Sequence, residues 1–230
     1  MKPVIGIVSR VMYPGGTHKL VVNEEYRMAI IKYGGIPFSI LPSVGIDVGD
    51  VKYNEQNELT ELEKEMLIRS ISLCDGIVMP GGFKINKFDR FICEYAISNN
   101  IPLLGICLGM QIMSNYKRDI LWNEKNESFI NHLVQGDELA HSVNVKKDSV
   151  LYSILKSENF MVNSRHSYHV CSNVNFDSVA FSEDGYIEAI EIPSLKFCIG
   201  VQWHPEDMDD ETSKNLFEKF IECSSKNNKC

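Results

Sequence analysis

The stretch Ile101-Pro-Leu-Leu-Gly-Ile-Cys-Leu-Gly-Met-Gln111 constrains this chain more than any other. An apolar run of strand length enters a Gly-x-Cys-x-Gly corner and continues as the start of a helix. That is the pattern of a nucleophile elbow, with sulfur in place of oxygen. Small residues at Gly105 and Gly109 let the backbone turn sharply and pass close to its neighbours, leaving Cys107 at the apex. The helix that follows turns its positive end and unpaired N–H groups toward the sulfur, and both favour the thiolate. An isolated cysteine is by default a buried structural residue, and most of the other six read that way. The flanking glycines set Cys107 apart.

Far downstream, Phe197-Cys-Ile-Gly-Val-Gln-Trp203 is a second apolar strand, and it runs into His204-Pro-Glu206. In extended chain, side chains two residues apart share a side, so His204 and Glu206 are expected to point together. Pro205 holds the backbone between them. A thiolate needs a base nearby, and the base needs an orienting partner. Alone, His-x-Glu reads as a surface turn. Beside the cysteine elbow it reads as the rest of a Cys107-His204-Glu206 triad.

These segments resemble the class I glutamine amidotransferase superfamily, and Asp75-Gly-Ile-Val-Met-Pro-Gly-Gly82 resembles the glycine loop of its oxyanion hole. Val162-Asn-Ser-Arg-His-Ser167 and Ser182-Glu-Asp-Gly-Tyr-Ile-Glu-Ala189 resemble the peptidase C26-type branch typified by γ-glutamyl-γ-aminobutyrate hydrolase. Lys2–Ile7 and Tyr33–Pro37 fit the same branch. The resemblance implies a cysteine-dependent hydrolase of a γ-glutamyl amide, acting through a thioester on Cys107. It implies oxyanion donors on Gly82 and Leu108, with Gly81 beside them and Arg165, His166 and Ser167 in the segment that holds substrate, Arg165 being otherwise a solvated loop charge. Gln111, one helical turn after Cys107 on the same face, either contacts the glutamyl portion or is an ordinary polar residue facing its neighbours. No metal or organic cofactor is implied. The implied partners are a small γ-glutamyl substrate and either a second copy of the chain or a separate synthetase chain.

This sequence departs from the branch at three places. Phe83-Lys-Ile-Asn86 is compact where the branch carries an insertion rich in Asp, Pro and Tyr. Leu108 stands where Arg is frequent, and Asn115–Asp119 replaces a glycine pair. All three border the expected pocket and bear on the amine half of the substrate. Two rival readings stay open: a glutaminase subunit feeding ammonia to a synthetase, and a catalytically silent binding or sensor protein on the same fold. A reactive-cysteine stress protein fits the His-Pro-Glu segment poorly.

Short apolar strands alternate with helical patterns, which predicts an α/β fold with a mostly parallel central sheet flanked by helices. From Ala140 to Gly200 the pattern turns β-rich, and the resemblance implies a flavodoxin-like architecture with that β-rich portion added. The 230 residues suit one domain, with 224–230 as a frayed tail. Helices are expected near Asn23–Lys32, from a capping box at Thr60-x-x-Glu63, near Phe88–Ser98 and over Thr212–Glu222. Leu62, Met66, Leu67 and Ile71 are expected on one helical face, Trp203 and Tyr95 in the core, and Gly45–Leu59 in a surface loop.

A net charge of -8 argues against nucleic-acid and anionic-membrane partners. No apolar run is long enough to span a bilayer, and Met1-Lys-Pro enters a strand without a signal-peptide pattern. Seven cysteines without regular spacing do not form a disulfide framework, so a reducing cytoplasm is expected. His166 and His169 are spaced as two metal ligands would be, but no Cys or carboxylate set accompanies them in the sequence. They read as structural or substrate-facing. His132 and His141 acquire no role.

Overall fold

The computed structural model describes residues 1–12, 19–43, 58–117, 123–125, 127–136, 138–171 and 175–225. The chain opens with β1 (Val4–Val8), β2 (Arg10–Met12), β3 (Lys19–Val21), α1 (Glu24–Lys32), β4 (Ile36–Ile40) and α2 (Glu61–Ile71). Next come β5 (Gly76–Met79), α3 (Lys87–Ser98), β6 (Leu103–Ile106), α4 (Leu108–Ser114), β7 (Asn123–Lys125) and β8 (Leu139–Val145). α5 (Val150–Leu155), β9 (Asn159–Asn163), β10 (Tyr168–Val170), β11 (Asp177–Ser182), β12 (Ile187–Glu191), β13 (Cys198–Val201) and α6 (Glu211–Ser224) complete it.

One large sheet has the main path β4-β1-β5-β6-β13-β12-β11-β8-β9. Its first five strands are parallel, as the alternation of strands and helices predicts. Beyond β13 every pairing on the path is antiparallel, which is the β-rich portion. β10 joins β12 and β7 off this path, and β2 with β3 forms a separate hairpin. The parallel strands are covered on both faces. In β5, Val78 packs into one hydrophobic cluster with residues of α1 and α6, while Ile77 and Met79 enter another with residues of α2, α3 and α4. Successive residues of a strand point to opposite faces, and burial on both is why these strands read as unbroken apolar runs.

Local signals held at several termini. Thr60 and Glu63 form the capping box at the start of α2, and Gly34, just past α1, takes φ 97°. Asn23 does sit at the N-cap of α1, but its side chain makes no capping hydrogen bond. On α2, Leu67 and Ile71 are fully buried, whereas Leu62 and Met66 are exposed. At about 100° per residue these four make two pairs roughly 140° apart, so only one pair meets the sheet. Trp203 is core, and Tyr95 is half-buried.

The closing helix runs past its expected end. Ser224 is buried, and its hydroxyl donates to the Phe220 carbonyl at 2.8 Å, so fraying does not begin there. Cys223, on the same helix, is disulfide-bonded, which departs from the reading of all the cysteines as reduced. The expected loop at 45–57 and the tail at 226–230 lie outside the described residues.

Gly109 fixes how closely α4 approaches β5. A Cβ there would sit 1.9 Å from the Met79 carbonyl oxygen, too close for any side chain. Gly109→Ala should therefore lower stability by at least about 1–3 kcal/mol, since the overlap is with backbone that has little room to move. Urea unfolding checks this, and an unchanged midpoint would contradict the packing described.

Candidate active site

Cys107 is the N-cap of α4 and adopts φ 53°, ψ -109°. A non-glycine residue held in so sparsely populated a region costs about 1–3 kcal/mol, and the surroundings must enforce it. They do so from both sides. The Cys107 N–H donates to the Val201 carbonyl at 2.8 Å, and its carbonyl accepts from the Gln111 N–H at 3.1 Å. At Gly105 a Cβ would come within 2.3 Å of Met113 Sδ. The elbow therefore needs both glycines, and it leaves the Cys107 sulfur at the carboxyl end of the parallel strands.

His204 follows β13 at the same end. Its N–H donates to Asn163 Oδ1 at 2.9 Å, and Asn163 Nδ2 donates back to the His204 carbonyl at 3.0 Å. This buried asparagine fixes the histidine backbone; it lies in the Val162–Ser167 segment, where sequence reasoning assigned it no part of its own. His204 Nδ1 lies 2.6 Å from Glu206 Oε1. The pair meets as expected, although the backbone between is not extended. Pro205 starts a 3₁₀ turn over Pro205–Asp207, and that turn brings the carboxylate back to the ring.

The distant cysteine and histidine share one spot. A Cβ placed on Gly81 would lie 3.1 Å from His204 Cε1 and 3.5 Å from Cys107 Cβ. Burial alone would push the Cys107 thiol up, but the charge of His204 and a hydrogen bond from it outweigh burial and bring it down. Burial likewise opposes a charged His204, yet Glu206 and Cys107 together raise it to about 10. The arrangement therefore favours a thiolate facing an imidazolium, with Glu206 behind the ring. By contrast, burial pushes Cys74 and Cys198 up to about 12.

The glycine loop closes over this pair. A Cβ on Gly82 would touch Leu108 Cδ2 at 3.1 Å, so the two residues expected to supply oxyanion donors are neighbours. Two side chains that the sequence did not point to hold the loop. Arg10 donates through Nε to the Gly81 carbonyl at 3.1 Å and through Nη2 to the Pro80 carbonyl at 2.7 Å. Its remaining arm pairs with the buried Asp89. The Tyr26 hydroxyl accepts the Gly81 N–H at 2.9 Å. Burial, and then the charges of Glu206 and Cys107, keep that phenol protonated.

The residues expected to face substrate are only partly placed for it. Gln111 Nε2 donates to the Tyr168 carbonyl at 2.9 Å and to Gln202 Oε1 at 3.2 Å, so it ties α4 to β10 and β13's exit. Arg165 pairs with Asp207 and donates to the Gly136 carbonyl at 3.0 Å, with Glu206 3.9 Å away. Its fork is thus engaged within the protein. Ser167 is half-buried. His166 joins His132, His141 and Glu188 in a buried group, while still helping to lower the Cys107 thiol. The expectation that no carboxylate accompanies the histidines is corrected here, because the sheet brings Glu188 in from β12. His169 stands apart, stacked on Tyr186 at 3.7 Å between centroids.

A cysteine elbow beside a histidine-bearing parallel strand defines a class I glutamine amidotransferase-like α/β protein. Residues 83–206 match the Peptidase C26 family, and the chain belongs to that family of cysteine hydrolases. The CTP synthase of Mycoplasma capricolum is 28% identical over 227 residues, covering 83% of this chain and 42% of that protein. A Rickettsia conorii CTP synthase is 28% identical over 251 residues, covering 90% and 47%. The chain thus spans less than half the length of these relatives. A glutamine amidotransferase-like protein of Rickettsia prowazekii is 26% identical, covering 88% of this chain and 89% of its own. The glutaminase domain of Trypanosoma brucei CTPS, solved with bound acivicin, shares the fold with TM-score 0.65 and 20% identity, covering 99% and 96%. Among the described residues no helix is long and apolar enough to cross a membrane.

Alkylation of Cys107 by iodoacetamide should stay fast below the ordinary thiol range and fall only on the acid side, as the thiolate takes up a proton. With His204→Ala, only the weaker pull of His166 opposes burial, and the rate at pH 7 should drop at least about tenfold. Peptide mapping across pH reads both. A wild-type profile like that of an ordinary thiol would contradict the ion pair.

Proposed function

We propose that the chain hydrolyses the amide of a γ-glutamyl compound, with Cys107 as nucleophile, His204 as acid and base, and Glu206 as the group orienting His204. The observation carrying this is the convergence of the Cys107 elbow, the His204 ring and the Gly81–Gly82 loop on one spot. Cys107 attacks the side-chain carbonyl, and His204 hands its proton to the departing amine. Water, deprotonated by the same ring, then cleaves the thioester to release glutamate. The backbone N–H groups of Gly82 and Leu108 are the oxyanion donors in this reading, since the Gly81 N–H is already taken by Tyr26. Leaving out one such donor typically costs about 10²–10³ in rate.

In this reading, Gly81, Gln111, Arg165, His166 and Ser167 line or support the glutamyl side of the pocket. Arg165 takes the substrate carboxylate only by exchanging Asp207 for it. The chain is one catalytic domain acting in the cytoplasm. The resemblance of Val162–Ser167 and Ser182–Ala189 to γ-glutamyl-γ-aminobutyrate hydrolases supports a free-standing hydrolase, alone or as a homodimer. A second reading is favoured by the CTP synthases among the relatives: a glutaminase that passes ammonia to a synthetase on another chain.

A panel of glutamine, γ-glutamyl-aminobutyrate and γ-glutamyl peptides, scored for released glutamate, tests both. Turnover of a γ-glutamyl amine by the chain alone supports the first reading; glutamine turnover that rises only with an added synthetase supports the second. Cys107→Ala should abolish release in either case, and residual activity near wild type would refute the nucleophile. Glu206→Ala should lower kcat less than His204→Ala, because it orients the base without moving a proton. Equal losses would contradict its assigned part.

A further inference from the structure

The antiparallel end of the sheet encloses a second group of titratable side chains that the hydrolysis leaves unused. His132 precedes β8, His141 lies on it, His166 links β9 to β10, and Glu188 lies on β12. All four are buried, with exposures of 2%, 4%, 3% and 0%. Around Glu188 Oε1 stand His132 Nδ1 at 3.5 Å, His166 Nε2 at 3.6 Å and His141 Nε2 at 3.8 Å. These ligand-type atoms all lie within 4.8 Å of one another.

The outer ring nitrogens decide what the inner ones offer. His132 Nε2 meets Asp184 Oδ2 at 2.8 Å, His141 Nδ1 meets the Ser142 carbonyl at 3.2 Å, and His166 Nδ1 meets the Tyr168 carbonyl at 3.0 Å. A carbonyl or carboxylate oxygen only accepts, so each outer nitrogen carries the ring proton. In a neutral ring the opposite nitrogen then turns a lone pair inward. His132 Nδ1, His141 Nε2 and both Glu188 oxygens have no hydrogen-bond partner among the described residues. Lone pairs of His132 Nδ1 and His141 Nε2 turned toward a buried Glu188 carboxylate repel it unless positive charge sits between them.

We propose that His132, His141, His166 and Glu188 bind a zinc ion in a closed, four-coordinate structural site. Zinc–nitrogen and zinc–oxygen bonds of about 2.0–2.1 Å place tetrahedral ligand atoms about 3.3–3.4 Å apart, close to the spacing around Glu188 Oε1. Three imidazoles with one carboxylate suit zinc, whereas calcium and magnesium take six or more oxygens. The outer contacts, above all the Asp184 carboxylate on His132, are the second shell that fixes ring orientation in such sites. Four protein ligands leave no position for a reacting water, so this ion holds structure. It clamps β8, β12 and the His132 loop to the Arg165–Ser167 segment beside Cys107. The inference does not rest on the proposed hydrolysis.

The full-length wild-type chain and Cys107→Ala, dialysed against metal-free buffer and measured by elemental mass spectrometry, should both retain about one zinc per chain. X-ray absorption should then show four nitrogen and oxygen neighbours and no sulfur. Removing the ion with a chelator should lower the Tm, and Zn²⁺ but not Mg²⁺ should restore it. Glu188→Gln and His141→Ala should lose the zinc. Asp184→Asn should weaken binding about 10–100-fold in a competition titration, and His169→Ala should keep full occupancy. Wild-type protein that retains no zinc, and whose chelator-treated form takes up none from Zn²⁺, would overturn the proposal. The group would then be a proton-linked network, with Glu188 facing a protonated imidazole.

Discussion

Four register pairs, from Cys198 beside Leu103 to Val201 beside Ile106, hold β13 against β6. From their common end the chain gives out Cys107 on one strand and, three residues past the other, His204. The Cys107 N–H completes the pairing by donating to Val201. The contact that closes the ladder is thus also the one that sets the cysteine backbone in its strained corner. Everything proposed for the site follows from this pairing, because two parallel strands deliver their following residues to the same edge.

Charge then gives that geometry its chemistry. A buried thiol by itself is an unreactive group, as the high values at Cys74 and Cys198 illustrate. Cys107 is buried too, and the difference is His204, itself kept cationic by Glu206. The supports lie one layer out. Asn163 grips the His204 backbone, while Arg10 and Tyr26 hold the glycine loop by its polar backbone groups. Arg10 and Asn163 each fix a backbone position on which the proposed reaction relies.

The parts of this arrangement that were legible in the sequence are those written in local pattern. The elbow showed itself through two glycines at fixed offsets, and the parallel strands through apolar runs buried on both faces. The capping box of α2 was readable for the same reason. What stayed hidden depends on contacts between distant segments. Arg10 sits on a three-residue strand with no motif to mark it, and Asn163, although inside the Val162–Ser167 motif, ends an edge strand whose contact with His204 the motif does not spell out. His132, His141 and Glu188 looked unrelated because their meeting depends on antiparallel register between β8, β11 and β12. Periodicity also misjudged α2, where four apolar residues were assigned to one face although their angular spacing divides them. Gln111 and Arg165 lie near the site, but their polar groups are largely used inside the protein.

The central claim is a covalent one: carbon from the substrate becomes bonded to the sulfur at position 107. Rapid acid quench during turnover, followed by peptide mass spectrometry, tests it directly. The account predicts one glutamyl unit on the Cys107 peptide, on no other cysteine, and none when His204 is replaced by Ala, because the thiol then lacks its charged partner and the departing amine its proton donor. Turnover proceeding with that peptide unmodified at every quench time, and the glutamyl group found elsewhere, would contradict it.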